Sequence, residues 1–300
     1  MNETASGGAL QELSDALAAA VERASAYTVR VNARRRMPAS GIAWADGVIL
    51  TADHVIERDE EITVTLADGK SVAATIAGRD PGSDLAVLRA QTGLAPAPRS
   101  QDAKVGHLVL AVGRPGDSGL TAAMGVISAV GGPWQSGRGA TVEGYIRADV
   151  TMYPGFSGGP LVDASGSVVG INSSGISRAG GITIPVAAAE KVVQPLLAHG
   201  RLKRGFLGLT SQVVPLPKAT AEATGQEAGL LVARVASGTP AEQGGVLIGD
   251  ILIGLGGQPV RDTDELQRLL GPDRVGQATP LRIIRGGEMR EISVTVGERE

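Results

Sequence analysis

The feature that most restricts the fold of this chain is a repeated punctuation, in which short apolar runs are broken by two-residue turn signals. Asp46-Gly47 precedes Val48-Ile49-Leu50, Asp68-Gly69 separates Ile62-Val64-Leu66 from Val72-Ala74-Ile76, and Ser165-Gly166 precedes Val168-Val169. Glycine supplies the positive φ that tight hairpin turns need, so the pattern predicts the antiparallel hairpins of a barrel. Between Ile62 and Leu66 the apolar residues alternate with Thr63 and Thr65, which predicts one buried and one wet face. With 43 glycines against two Trp, three Tyr and two Phe, aliphatic side chains must build nearly all of the core.

Helical periods flank these runs. Leu10, Leu13, Leu17 and Val21, with Glu12, Asp15 and Glu22 between them, predict an amphipathic helix within residues 1–26. Val186 to His199 is also helical in period, but Pro195 predicts a kink or an interruption. The polar, glycine-flanked Gly200-Arg201-Leu202-Lys203-Arg204-Gly205 reads as a linker. Beyond it lies a second pattern of strands with two short helices. One has Pro240 at its first position after Thr239, and the other starts at the N-cap Asp262, with Glu265 three residues on. The division is therefore an N-terminal helix (1–26), a first domain (27–200) and a second domain (201–300), which suits 300 residues.

Composition removes several function classes. At 43% hydrophobic and 20% charged residues the chain can bury a sizeable core. A net charge of −3 offers no general attraction to nucleic acid, and Arg34-Arg35-Arg36 is a short run that reads as a solvated loop. The absence of cysteine excludes disulfides, thiolate metal sites and a cysteine nucleophile. His54, His107 and His199 have no metal-ligand spacing, so neither a metal nor any other cofactor is expected, and no Walker motif argues for ATP use. No apolar run approaches 18 residues, so no membrane span is expected. Met1-Asn2-Glu3-Thr4 lacks a basic leader, so the chain as given reads as cytoplasmic, or as exported if its N-terminus is truncated.

The most informative stretch is Tyr153-Pro154-Gly155-Phe156-Ser157-Gly158-Gly159-Pro160-Leu161. A serine among glycines can be a nucleophile, with the amides of Gly155 and Ser157 forming an oxyanion hole. Taken alone, the stretch reads equally well as a glycine-rich hairpin with a spectator serine. A serine nucleophile needs a base, and the base needs an orienting group. His54 stands at the end of an apolar run, whereas His107 and His199 have weaker contexts. Asp84 immediately precedes Leu85-Ala86-Val87-Leu88. Asp80 and Asp53 compete with it, but Asp53 neighbours the histidine in sequence and on a strand would point to the opposite face. The order His54, Asp84, Ser157 is that of chymotrypsin-like peptidases.

Ala39-Ser40-Gly41-Ile42, Leu50-Thr51-Ala52-Asp53-His54-Val55, Asp80-Pro81-Gly82-Ser83-Asp84-Leu85 and Gly155-Phe156-Ser157-Gly158-Gly159-Pro160 together resemble the motifs of the HtrA/Deg serine proteases. Ala111-Val112-Gly113-Arg114-Pro115, Gly125-Val126-Ile127-Ser128, Gly170-Ile171-Asn172 and Lys203-Arg204-Gly205-Phe206-Leu207-Gly208-Leu209 extend the likeness over nearly all of residues 27–300. The resemblance implies a mainly β protein, a chymotrypsin-like double β-barrel followed by a PDZ domain, that cleaves unfolded or damaged polypeptides. It implies Ser157 as nucleophile, His54 as general base, Asp84 as the residue orienting it, and Gly155 and Ser157 as oxyanion donors. Met152 would line the specificity pocket with Asn172, Ser173, Ser174 and Gly175, favouring small or medium apolar side chains.

A PDZ module adds a C-terminal peptide as a strand and holds its carboxylate with loop amides. Gly205, Phe206, Leu207, Gly208 and Leu209 fit that loop, and Leu266, Leu269 and Leu270 would wall the groove. The chain also departs from the family. Phe156 replaces the usual Asn, and it either tucks beneath the loop and supports it or collapses the hole. Homo-oligomers are implied, yet residues 1–26 contain none of the aromatic residues that the family's trimers commonly use. Two other readings follow, a proteolytically weak peptide-binding chaperone or adaptor of the same fold and a narrowly specific regulatory protease.

Overall fold

The computed structural model describes residues 4–35, 37–116, 119–136, 141–177, 180–203 and 205–298. Arg36 and Arg204, singled out above, lie outside them. The chain divides into two compact units, Met1–Leu202 and Lys203–Glu300.

In the first unit, helix α1 (Thr4–Ser25) leads into a closed barrel of β1 (Thr28–Asn32), β2 (Ala39–Ala45), β3 (Val48–Ala52), β4 (Ile62–Thr65), β5 (Ser71–Asp80) and β6 (Leu85–Arg89), ordered β1-β2-β3-β6-β5-β4. The turn dipeptides fall where hairpins close: Gly47 joins β2 to β3 with φ 64°, and Gly69 joins β4 to β5 with φ 86°. β3 is buried throughout, and β2 at all but its last residue, as expected of strands lining a barrel interior. The alternation in β4 is imperfect, because Thr65 is buried with Val64 and shares hydrogen bonds with Asn32 and Ser71.

A second closed barrel holds β7 (Leu108–Gly116), β8 (Gly119–Gly131), β11 (Tyr145–Ala148), β12 (Pro160–Asp163), β13 (Val168–Ser173) and β14 (Ile182–Pro185), ordered β11-β14-β13-β12-β7-β8. A small ribbon of β9 (Trp134–Gln135) and β10 (Thr141–Val142) stands apart from it. Helix α2 (Val186–His199) runs unbroken through Pro195, contrary to the expected interruption. It buries Val192, Val193 and Leu196 against the barrels, and this packing outweighs the roughly 3 kcal/mol that an interior proline costs a helix. Only the C-terminal half of the α1 stripe packs: Ala20 and Ala24 are buried and Leu17 and Val21 partly so, while Leu10 is 70% exposed. Arg23 then ties the helix to the β12–β13 turn by donating to the Ser165 carbonyl at 2.8 Å.

The second unit is built on a sheet ordered β16 (Leu209–Pro215), β17 (Ala228–Val235), β18 (Ile251–Leu255), β20 (Ala278–Arg285) and β21 (Glu288–Thr295), with β19 (Gln258–Pro259) paired to β18. β15 (Gly205–Phe206) pairs with β22 (Gly297–Glu298). It contains three short helices rather than the two expected: α3 (Lys218–Thr224), α4 (Pro240–Gln243) and α5 (Thr263–Leu269). α3 buries no side chain, so it leaves no apolar stripe in the sequence. Asp262 caps α5 by accepting from the Glu265 amide at 2.7 Å.

One ion pair braces this unit. Asp250 accepts two hydrogen bonds from the Arg285 guanidinium, both at 2.7 Å, and one from the Leu247 amide at 2.8 Å. Burial pushes the Asp250 carboxyl upward, but the bonds from Arg285 and Leu247 outweigh it and hold the group below its ordinary value. A lowered carboxyl stabilises the fold at pH values above its unfolded pKa, and that contribution is lost as pH falls through its folded value. Calorimetric unfolding of the whole chain will show the transition of residues 203–300 falling on acidification from about pH 5, and Asp250→Asn will flatten that dependence.

Candidate active site

Three elements deliver the site. β3 ends at Ala52 and passes into a single 3₁₀ turn, Asp53–Val55, which lifts His54 out of the first barrel. Asp84 stands at the mouth of β6 in the left-handed region, with φ 56°, a strained setting for a non-glycine residue. Ser157 lies in the loop before β12 of the second barrel and is 8% exposed. His54 and Asp84 meet through the pairing of β3 with β6, in which Ala52 lies opposite Leu85, and the joining of the second barrel brings Ser157 into the same cleft as His54.

Asp84 is fully buried, and its charge is met by several donors. Oδ2 lies 2.7 Å from Nδ1 of His54, Oδ1 accepts from the His54 amide at 2.9 Å, and the Ser173 hydroxyl donates to Oδ2. A carboxylate only accepts, so the proton between the two groups sits on Nδ1, and in the tautomer this favours the basic nitrogen is Nε2. The competing carboxylates are engaged elsewhere: Asp53 pairs with Arg79 at 2.7 Å, and Asp80 accepts from the Ser83 amide at 2.9 Å. His107 and His199 stand outside this cluster, before β7 and at the end of α2.

Around Ser157 the loop is held at nearly every peptide group. The Phe156 amide donates to the Tyr153 carbonyl at 3.1 Å, Gly158 to Asn172 at 2.8 Å and Gly159 to Phe156 at 2.9 Å. The amides of Gly155 and Ser157 have no acceptor among the described residues. Two unmatched donors flanking a serine hydroxyl are what an oxyanion hole requires. Gly155 has φ 87°, and a Cβ there would come within 2.4 Å of Pro115, so no other residue fits without displacing the loop.

Phe156 takes the supporting alternative. Its ring is 1% exposed, packs with Val109, Ala111, Ile127, Ile146, Leu161 and Val169, and meets Tyr153 edge-on at 5.4 Å. The Ser157 hydroxyl makes its hydrogen bonds to Ser174 rather than to His54: Oγ to Oγ at 3.0 Å, and Ser174 amide to Oγ at 3.3 Å. A cleft of about 480 Å³ opens over these groups, lined by Arg34, Met37, His54, Glu57, Met152, Tyr153, Ser157 and Ser174 among others.

Not every expected pocket residue faces this cleft. Met152 and Ser174 line it, but Asn172 is buried, donates to the Pro160 carbonyl at 2.9 Å and accepts from Thr183 at 2.8 Å. Ser173 turns away to Asp84, since neighbouring strand residues face opposite sides. Gly175 instead lets the chain close on the histidine, because a Cβ there would stand 2.5 Å from Nδ1. Arg34, expected in a solvated loop, reaches the cleft rim.

In the second unit Gly205, Phe206, Leu207, Gly208 and Leu209 line a groove with Thr263, Leu266, Gln267 and Leu270. The amides of Leu207 and Gly208 have no acceptor among the described residues. Leu269 does not line the groove, because at its position on α5 it packs against the domain core instead. β16 lies at the sheet edge beside this helix.

Comparison with known proteins places both units in known domain families. Residues 39–171 match the trypsin-like peptidase domain and residues 207–296 the PDZ domain. The solved HtrA-type protease AlgW with decapeptide is 31% identical, with a TM-score of 0.79 over 95% of this chain and 99% of that one. The chain belongs to the HtrA/Deg family of serine proteases. A second solved structure, the serine endoprotease from Yersinia pestis, is 32% identical with a TM-score of 0.77, covering 94% of this chain and 97% of that one. A probable periplasmic serine endoprotease DegP-like from Pseudomonas fluorescens is 39% identical over 85% of this chain and 55% of its own length. The chain thus spans about half the length of the curated relatives it matches.

Within this HtrA/Deg site, Phe156 is the residue on which the loop rests. Phe156→Ala will destabilise the chain by about 3–5 kcal/mol in denaturant unfolding, through the cavity it leaves. It will also slow covalent labelling of Ser157, a second readout on the same sample.

Proposed function

We propose that this protein is an ATP-independent serine endopeptidase that forms an acyl-enzyme at Ser157. The observation that carries the reading is the His54–Asp84 pair, at 2.7 Å, beside a serine flanked by two unmatched amides. The Ser157 hydroxyl turns from Ser174 toward Nε2 of His54, which takes its proton as Oγ attacks the scissile carbonyl. The carbonyl oxygen becomes an oxyanion held by the amides of Gly155 and Ser157, and Asp84 stabilises the imidazolium. His54 then passes the proton to the leaving amine, and water hydrolyses the acyl-enzyme by the reverse proton path.

Met152 gives the cleft an apolar wall, which supports a small or medium apolar side chain at the cleaved position, and Arg34 and Glu57 line the same cleft. Unfolded polypeptides are the proposed substrates, because they can present an extended segment to such a cleft. The second domain is proposed to bind C-terminal peptides, as a strand beside β16 with the carboxylate on the Leu207 and Gly208 amides. Among the described residues no helix is long and apolar enough to cross a membrane. The word "periplasmic" in the relatives' names favours the exported reading over the cytoplasmic one. Self-association, with no number of copies assigned, belongs to the same proposal on the family's precedent.

Intact mass after fluorophosphonate treatment, with casein cleavage on the same samples, tests the protease reading. One adduct is expected on the wild type and none on Ser157→Ala, and Asp84→Asn will lower kcat by about 10³- to 10⁴-fold. A folded wild-type chain that takes no adduct and cuts nothing, with a groove peptide present, favours the peptide-binding chaperone or adaptor. Fluorescence anisotropy tests the second domain: a peptide with an apolar C-terminal residue and a free carboxylate will bind at least about tenfold tighter than its amidated form.

A further inference from the structure

Ser40 belongs to the first barrel, in β2, and is fully buried, yet its polar atoms meet the nucleophile loop of the second. Its hydroxyl lies 2.7 Å from the Gly155 carbonyl and 2.8 Å from the Arg114 amide. The amide can only donate, so the single hydroxyl proton goes to Gly155. The Ser40 amide donates to the Ser157 carbonyl at 3.2 Å, and the Ser40 carbonyl accepts from the Thr51 hydroxyl at 2.7 Å. One residue thus holds the carbonyls of both residues whose amides face the site.

The consequence follows from peptide planarity. The plane joining Gly155 to Phe156 is pinned at its carbonyl by the Ser40 hydroxyl and at its N–H by Tyr153. The plane joining Ser157 to Gly158 is pinned at its carbonyl by the Ser40 amide and at its N–H by Asn172. The Ser157 N–H lies between these two, in the plane joining Phe156 to Ser157, whose carbonyl accepts from the Gly159 amide at 2.9 Å. The Gly155 N–H lies one plane earlier and is joined to the first pinned plane through the Gly155 Cα. Because a glycine turns freely about its Cα, the orientation of the Gly155 amide depends on this tether rather than on a side chain of its own.

We propose that Ser40 is a positioning residue that sets the oxyanion hole from across the barrel interface, with its hydroxyl aiming the Gly155 amide. This rests on the serine protease reading above. Such an effect acts on the transition state, where the oxyanion forms, and not on ground-state binding. Ser40→Ala in the full chain will lower kcat on a peptide substrate by about tenfold or more while KM stays within about twofold. Fluorophosphonate labelling of Ser157 will slow in parallel.

Two further variants separate positioning from general structure. Thr51→Val removes the bond to the Ser40 carbonyl and leaves the bond to Gly155. It is expected to lower the unfolding temperature yet keep kcat. Ser40→Cys, with a weaker donor, is expected to fall between serine and alanine in kcat and to serve where alanine does not fold. Wild-type kcat and labelling in a folded Ser40→Ala, or an equal loss of kcat in Thr51→Val at a matched loss of stability, overturns the proposal. A folded wild type that takes no label and cuts nothing overturns the protease reading itself, and this proposal with it.

Discussion

The structure depends on one constraint, that the loop from Gly155 to Gly159 leaves the N–H groups of Gly155 and Ser157 without acceptors among the described residues while nearly all its other peptide groups find partners. A buried amide without an acceptor costs roughly 1–3 kcal/mol, so two of them persist only where the surroundings leave no alternative conformation. The surroundings here do so. Ser40, Tyr153 and Asn172 take most of the loop's other polar groups, the Gly159 amide bonds the Phe156 carbonyl, and Phe156 fills the space beneath with a buried ring. Full burial of a ring stabilises by roughly 1.5–3 kcal/mol, enough to offset one of the orphaned donors.

The residues of the proposed active site therefore meet between the barrels. The first barrel contributes His54, Asp84 and Ser40, and the second contributes Ser157, Ser173 and Ser174. Asp84 is buried without loss because Ser173, from the other barrel, joins the two donors of His54 around its carboxylate. Docking the barrels thus satisfies the aspartate and aligns the histidine in a single step. The Ser157 hydroxyl is engaged by Ser174, and His54 lines the same cleft.

Much was legible in the sequence because the signals were local. Gly47, Gly69 and Gly166 punctuate hairpins through their own φ angles, Asp262 caps a helix three residues away, and the order of His54, Asp84 and Ser157 can be read along the chain. What failed was also local reasoning, applied where packing decides. Pro195 does not interrupt α2, α3 has no apolar stripe to find, and Leu269 turns to the core although it neighbours Leu270.

Sequence alone thus marked the hairpins, the polar linker and three candidates for reactive side chains, His54, Asp84 and Ser157. Only the tertiary structure decided which of three serines, Ser157, Ser173 and Ser174, faces the cleft, the aspartate or the nucleophile, and that Ser40 holds the loop. Ser40 and Gly155 are 115 positions apart, and Ser173 and Asp84 are 89 apart. A hydrogen bond across such a separation leaves no period or turn signal, because its geometry exists only once two closed barrels have met.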